Sequence, residues 1–399
     1  MNRSKDTENY YHRFSEKEYQ RRHEKVRQAM AARHLDCLIL YGTSGVGNSV
    51  NVRYLSNYGD YQHSYVVFPL KEKPTQFMGL YPHLPNAKAI SVIEDVRWGG
   101  NDVAGKVAER IKELGLDKGR IGIVGIAKRF QSVPHDHYLT LEEKLPQVAW
   151  ENATFLLQEI RANPSQEEVE VLQESGKLND KVMQVLVDTV RPGINEFQLA
   201  AETRYAAEKA GGYVHVFLLG STPMSNPSMP YPWPYPSKRV IQAGDVILTE
   251  LSVGTVEGYS GQVIRPIALG EPDQEYWDLY NVAHQVYRGV VPLMKPGNKP
   301  QQFLDVTQAI SHSGYTIQAP IVHGRAGTLV PPMVGVPGVE LLNSGLDQEL
   351  RENQTIMLEP NPCTKDLQKG IFLGDMYRVG SNGGISYHKF PLEFIIKKV

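Results

Sequence analysis

From residue 16 onward the chain alternates between helical and strand-like patterns of apolar positions. Residues 16–33 are rich in helix formers, with Tyr19, Val26, Met30 and Ala31 as a sparse apolar face. They run into LDCLILYG, a continuous apolar run closed by Gly42, which predicts a buried parallel strand following a helix. SYVVFPL (64–70) and PTQFMGLY (74–81) predict further strands, and RIGIVG (120–125) another. Between them DVAGKVAERIKELG (102–115) is an amphipathic helix pattern stopped by glycine. This order predicts an α/β domain over residues 1–157.

The pattern changes near Leu157. Two long helical stretches flank RPGINE; Ser165 with Glu168 forms a capping-box signature, Asn195 is placed to cap the second helix, and Gly211 and Gly212 end it. Strand patterns follow in DVILTELSVG (245–254), YSGQVIRPIALG (259–270), TIMLEPNP (355–362) and LEFIIKK (392–398), with one helix near 275–293. Residues 158–399 therefore read as an α+β domain, mostly antiparallel, with its helices grouped. The proline-dense segment NPSMPYPWPYPS (226–237) suits neither a helix interior nor a central strand, and its length and aromatic content suggest a functional lid.

Length and composition narrow the function classes. At 399 residues the chain suits two domains, and the 42 Lys plus Arg against 44 Asp plus Glu leave a formal net charge of -2, without the basic field that nucleic acid or an anionic membrane surface attracts. Two cysteines, Cys37 and Cys363, supply neither a disulfide framework nor a cysteine zinc site. The polar N-terminus lacks a signal-peptide core, and no apolar run reaches membrane-spanning length. A soluble cytoplasmic protein acting on a small molecule is the expectation. The chain carries no P-loop and no dinucleotide-binding glycine fingerprint.

Five segments in order, EIRANPSQEEVEVLQESG with RPGINEFQLAAE, AGDVILTELSVGTVEGYSGQVIRP, VHGRAGTL, IMLEPNP and FLGDMYRVGSNGG, resemble the creatinase / prolidase / methionine aminopeptidase superfamily. The resemblance covers nearly the whole chain and implies a pita-bread catalytic domain, a creatinase-type N-terminal domain, and a homodimer with its pocket near the subunit interface. The metallopeptidases of that superfamily hold two divalent metals with two Asp, one His and two Glu. Carried onto this chain, the first Asp falls at Glu250, the second at Gln262, the His at or next to His323, the first Glu at Glu359 and the last at Gly374, beside Asp375. HGRAG carries one residue more than the usual His-Gly-x-Gly turn, and the auxiliary His falls in LVPP and is missing. A neutral Gln262 and an empty Gly374 leave too little anionic charge for two dications. The expected cofactor is none; the alternative is one divalent metal held by Glu250, His323 and Glu359. The resemblance to creatinase, a metal-free member, is also incomplete: its catalytic His falls within Met224-Ser225-Asn226-Pro227, and the Glu after its Gly-Tyr turn falls near Ile264.

Glu359, His323 and Glu250 are the catalytic candidates: carboxylates for acid/base work or cation binding, and an imidazole that can activate water or protonate a leaving nitrogen. Glu250 is equally well a structural ion pair, with Arg265 on the next strand as its natural partner. Arg265, Gln262, Tyr259, His215 and Asp375 are substrate-binding candidates, Asp375 either orienting His323 or capping a strand. Trp233, with Tyr231 and Tyr235, offers an aromatic wall for a cationic group or a dimer contact. Arg53, Gln62 and His63 belong to a segment that in creatinase relatives reaches toward a pocket, and they are candidates for gripping a small anionic group. The leading expectation is a metal-independent creatinase-like hydrolase that cleaves an amide or amidine C–N bond in a small polar metabolite. The alternatives are a single-metal Xaa-Pro dipeptidase, a lyase acting on a cationic zwitterion, and an inactive binding protein.

Overall fold

The computed structural model describes residues 13–44, 46–126, 133–326, 329–339 and 343–399. Residues 1–12, whose polarity bore on targeting, and Gly327 and Thr328 at the end of VHGRAGTL lie outside the described residues. The chain divides into two compact units, Met1–Arg161 and Ala162–Val399.

In the first unit the elements run α1 (Glu16–Ala32), β1 (Cys37–Gly42), α2 (Val46–Ser56), β2 (Ser64–Pro69), β3 (Thr75–Met78), α3 (Leu84–Ile90) and β4 (Asp95–Trp98). They continue through α4 (Val103–Glu113), β5 (Arg120–Val124), α5 (His135–Lys144), β6 (Ala149–Asn152) and α6 (Thr154–Arg161). The six strands form one sheet in the order β4-β3-β2-β1-β5-β6. LDCLILYG is a buried strand parallel to β5, and because β1 is antiparallel to β2 the sheet is mixed. Buried on both faces, β1 sends Cys37, Ile39 and Tyr41 into the core beneath α4 and α5, and Leu38 and Leu40 into the core shared with α1, α2 and α6. The boundary drawn from sequence after residue 157 falls inside α6.

The second unit begins with α7 (Gln166–Thr189) and α8 (Glu196–Lys209). Both start with capping boxes, Ser165 with Glu168 and Asn195 with Gln198. Next come β7 (Tyr213–Pro223), β8 (Asp245–Gly254), β9 (Val263–Ile264), β10 (Ile267–Leu269), α9 (Gln274–Val290), α10 (Gln301–His312), β11 (Thr316–Ile317), β12 (Val322–Arg325) and β13 (Leu329–Val334). β14 (Thr355–Leu358), β15 (Pro362–Cys363), β16 (Gly374–Gly380), β17 (Gly383–Ser386) and β18 (Ile395–Lys397) complete it. The expectation of one helix after residue 270 is corrected to two. QQFLDVTQAISH has few apolar residues, but Phe303 and Ile310 are fully buried beside α9.

Ten strands form one sheet with the path β13-β12-β14-β16-β9-β8-β10-β18, β17 pairing with β16 and β7 with β8. α7 and α8 cover the β7–β8–β9–β10 part through Met183, Leu186 and Leu199 against Leu219, Ile247 and Leu251. α9 and α10 cover the β12–β14–β16 part through Val286 and Phe303 against Val322, Ile356 and Leu358. Five adjacent strands, β12-β14-β16-β9-β8, therefore place their inner ends side by side.

Candidate functional site

Glu250, Gln262, His323 and Glu359 come from those adjacent strands or their immediate ends. Glu250 is the one half-open position in an otherwise buried β8. Gln262 precedes β9, His323 lies on β12, and Glu359 follows β14 with its own N–H bonded to the Ile321 carbonyl at 2.7 Å. Gln262, His323 and Glu359 are all buried.

Gln262 joins the group. Its Nε2 donates to Glu250 Oε1 at 2.7 Å and to Glu359 Oε2 at 3.0 Å, while its Oε1 accepts from Arg325 NH1 at 2.7 Å. The reverse amide orientation would set oxygen against two carboxylates and N–H against a guanidinium, so the network itself fixes this one. The backbone N–H of Gln262 donates to His388 Nε2 at 3.2 Å, and His388 Nδ1 faces Asp180 Oδ1 at 2.8 Å. Since Nε2 accepts, the imidazole proton lies on the Asp180 side.

His323 points into the site. Nδ1 lies 3.0 Å from the Gly324 carbonyl and Nε2 lies 3.4 Å from Glu359 Oε1. The register between β12 and β13 shifts at His323/Gly324, where His323 faces Met333 and Gly324 faces Val330, so that Pro331 and Pro332 of β13 are the extra residues.

Arg325 is the site residue that the sequence reading passed over. It lies two positions beyond His323 on β12 and so shares its face. Besides Gln262, its NH2 donates to Ser252 Oγ at 2.9 Å and Ser260 Oγ at 2.7 Å. The period-2 relation to His323 was the available signal.

Several expectations are corrected. Arg265 does not pair with Glu250. It lies between the short strands β9 and β10, out of strand alternation, and its guanidinium meets Asp375 at 2.9 Å and the carbonyls of Ile264, Gly374, Phe390 and Pro391. Asp375 is accordingly held by Arg265 and by the Tyr287 hydroxyl at 2.7 Å, with no hydrogen bond to His323 among the described residues. Tyr259 directs its hydroxyl at Glu168 Oε1, 2.6 Å away, and so braces the capping box of α7. His215 approaches the Thr255 carbonyl at 2.9 Å.

The proline-rich segment is packed, not free-standing, at Tyr231 and Trp233, both buried, with ring centroids 6.2 Å apart at 82°. Tyr231 donates to the Ile371 carbonyl at 3.2 Å, and Trp233 Nε1 to the Met229 carbonyl at 2.7 Å. Gly220 of β7 permits that packing, since a Cβ there would stand 2.6 Å from the Cβ of Trp233. Tyr235 is exposed. In the first unit, Arg53 donates to Ser49 Oγ and to the Gly59 carbonyl, His63 Nδ1 lies 2.8 Å from the Tyr41 hydroxyl, and Gln62 is exposed.

Charge in the site is unevenly matched. Burial, then the nearby charge of Glu359, push the Glu250 carboxyl up to about 8, against an opposing pull from Arg325. Burial, then the positive field of Arg325, bring His215 down to about 4, with its backbone hydrogen bond acting the other way. Glu250 is thus largely protonated at neutral pH, and its Oε2 is left to carry the proton while Oε1 accepts from Gln262.

This donor set does not fit a pair of divalent metals. The position between the two carboxylates is taken by the N–H bonds of an amide, with a guanidinium behind it, and neither can ligate a cation. At Gly374 a Cβ would fall 2.7 Å from the Leu358 carbonyl oxygen and 3.0 Å from Glu359 Cα, so the strand pairing leaves no room for a ligand side chain. Among the described residues no three His, Cys, Asp or Glu side chains group to hold a metal ion. Also among the described residues, no helix is long and apolar enough to cross a membrane.

Comparison with known proteins agrees with the fold. The model for metallopeptidase family M24 matches residues 170–381, and that for the creatinase/prolidase N-terminal domain matches residues 22–163. An uncharacterized hydrolase/peptidase, y4tM of Sinorhizobium fredii, is 25% identical over 317 residues, 71% of this chain and 74% of the relative. An Xaa-Pro dipeptidase of Pyrococcus horikoshii is 20% identical over 293 residues, 73% of this chain and 77% of the relative. Among solved structures, an Xaa-Pro dipeptidase from Bacillus anthracis superposes with a TM-score of 0.76 at 21% identity, covering 95% of this chain and 100% of the other. A recombinant prolidase from Thermococcus sibiricus reaches 0.80 at 18% identity, covering 95% and 99%.

Proposed function

The chain belongs to metallopeptidase family M24, within the creatinase/prolidase superfamily, and from that premise we propose that it hydrolyses a C–N bond in a small polar or zwitterionic metabolite without a metal. The observation that carries this reading is Gln262, whose amide joins Glu250 to Glu359 and stands where the family pattern places a metal ligand.

The chemistry divides between the two carboxyls. Glu359, 3.4 Å from His323, takes a proton from the attacking water. The oxygen adds to the carbonyl or amidine carbon. Glu250, protonated and half-open, then protonates the leaving nitrogen as the C–N bond breaks. Burial and the neighbouring charge of Glu359 favour the proton on Glu250, which suits it to the role of acid.

The test is turnover of a panel of small amides, amidines and Xaa-Pro dipeptides by protein dialysed against a chelator. Undiminished turnover is expected, and Glu359→Gln should reduce kcat by roughly 10²–10⁴ while the protein stays folded. Activity lost to the chelator and restored by added Mn²⁺ or Zn²⁺ would overturn the proposal. It would favour the second reading, a metal-dependent Xaa-Pro dipeptidase; several relatives are named Xaa-Pro dipeptidase.

A further inference from the structure

Gln262 can join Glu250 to Glu359 only while its own backbone stays in place. It stands just ahead of β9, whose pairing with β8 and β16 begins at Val263. In place of a strand partner, its N–H meets a side chain, the imidazole of His388, whose Nε2 accepts at 3.2 Å. His388 is buried, in the segment that follows β17. A neutral imidazole accepts only at the nitrogen without a proton, and Asp180 of α7 settles which one that is. Its Oδ1 lies 2.8 Å from His388 Nδ1, while its Oδ2 accepts from the N–H of Lys389 at 2.6 Å and of Phe390 at 3.2 Å. One carboxylate therefore keeps the proton on Nδ1 and also fixes the stretch of chain that carries the ring. The same helix braces the residues before Gln262. Ser175 donates to the Tyr259 carbonyl at 2.8 Å, and at Gly261 a Cβ would stand 2.6 Å from Asn179 Nδ2.

We propose that Asp180 and His388 are positioning residues, a dyad that sets Gln262 so that its one amide nitrogen reaches both carboxyls at once. Neither residue touches the reacting atoms. The line of action runs from α7 through the imidazole to the backbone of Gln262, and from its side chain to Glu250 and Glu359. The acceptor at Nε2 is what matters, because without it Gln262 is free to shift along the face of α7. A displacement of about 1 Å at such a point costs up to roughly 10²-fold in rate. The inference rests on the hydrolase reading for its effect on turnover, whereas the placement of the amide is measured apart from it.

The experiment contrasts His388→Gln, whose Oε1 can take the place of Nε2 as acceptor, with His388→Asn, whose shorter side chain cannot reach it. The side-chain amide of Gln262 is followed by NMR in protein labelled with ¹⁵N-glutamine, its signals identified by their loss in Gln262→Glu. In the wild type and in His388→Gln the two amide protons should be separate and protected from exchange; in His388→Asn that protection should be lost. On any substrate of the panel that is turned over, His388→Asn should lower kcat by roughly ten- to hundredfold with KM little changed, and His388→Gln should restore most of it. If His388→Asn does not fold, Asp180→Asn, which sets an N–H₂ against the N–H groups of residues 389 and 390, should move the amide signals in the same direction. Amide signals unaltered in His388→Asn, or in Asp180→Asn where that variant stands in, would overturn the inference. Equal losses in His388→Gln and His388→Asn would also overturn it, since packing alone would then be at work. Protection lost in His388→Asn and kept in His388→Gln, with no turnover of any substrate by the wild type, would uphold it and count against the hydrolase reading.

Discussion

Glu250 stands at the half-open edge of the site, and its environment favours the neutral carboxyl. Its pKa in the folded protein, about 8, exceeds the ordinary carboxyl value of 4.5, so the folded state binds the proton more tightly than the unfolded chain. The stability this contributes is complete below about pH 4.5 and is lost as pH rises through about 8. Glu250→Gln should therefore gain on the wild type over that window, by on the order of a few kcal/mol, in denaturant titrations at a series of pH values. In catalysis the same proton is the one delivered to the leaving nitrogen. Wild-type kcat should fall as pH rises past about 8, and Glu250→Gln should lose both rate and that limb; a variant with the same alkaline limb would remove Glu250 from the role. His215 shows the opposite sign. Its pKa is depressed to about 4, so the stability it lends is present above its ordinary value of 6.5 and is lost as pH falls through 4. His215→Gln should flatten the acid side of the stability profile.

At the scale of elements, regularly patterned segments were legible in the sequence and interrupted ones were not. DVILTELSVG is strand β8 from end to end, and both capping boxes close as the spacing of Ser165, Glu168 and Asn195 foretold. β12 and β13 escaped because HGRAG and the prolines of LVPP break any alternation, and the register shift at His323/Gly324 is a tertiary feature. His323 and Arg325 share one face of β12 by alternation, and with no strand pattern visible there that relation was not legible. Arg265 misled for a related reason: Pro266 follows it, and its partners are carbonyls that only the folded chain gathers. Two variants test these placements. Tyr259→Phe removes the hydroxyl that braces Glu168 and should cost about 1–2 kcal/mol of stability with kcat unchanged, whereas a substrate-binding Tyr259 would show its loss in KM. Gly374→Glu restores the family's ligand type, yet its Cβ meets the Leu358 carbonyl. It should destabilise the protein by about 1–3 kcal/mol and confer no metal binding by calorimetry.

Across the whole molecule, length and alternating patterns were enough to anticipate two units of different architecture, and the ordered motifs were enough to anticipate the superfamily. The chemistry was not readable at that level, because a family of shared fold is defined by its strands and the reaction by what fills the space between them. Here that space holds an amide and a guanidinium joined to two carboxylates. The most direct measurement is elemental analysis of protein purified without a histidine tag or added metal, before and after a chelator, with turnover followed on the same samples. Metal well below one equivalent per chain and the same turnover in both samples are expected. Metal near one or two equivalents, whose removal abolishes turnover and whose return restores it, would contradict the account.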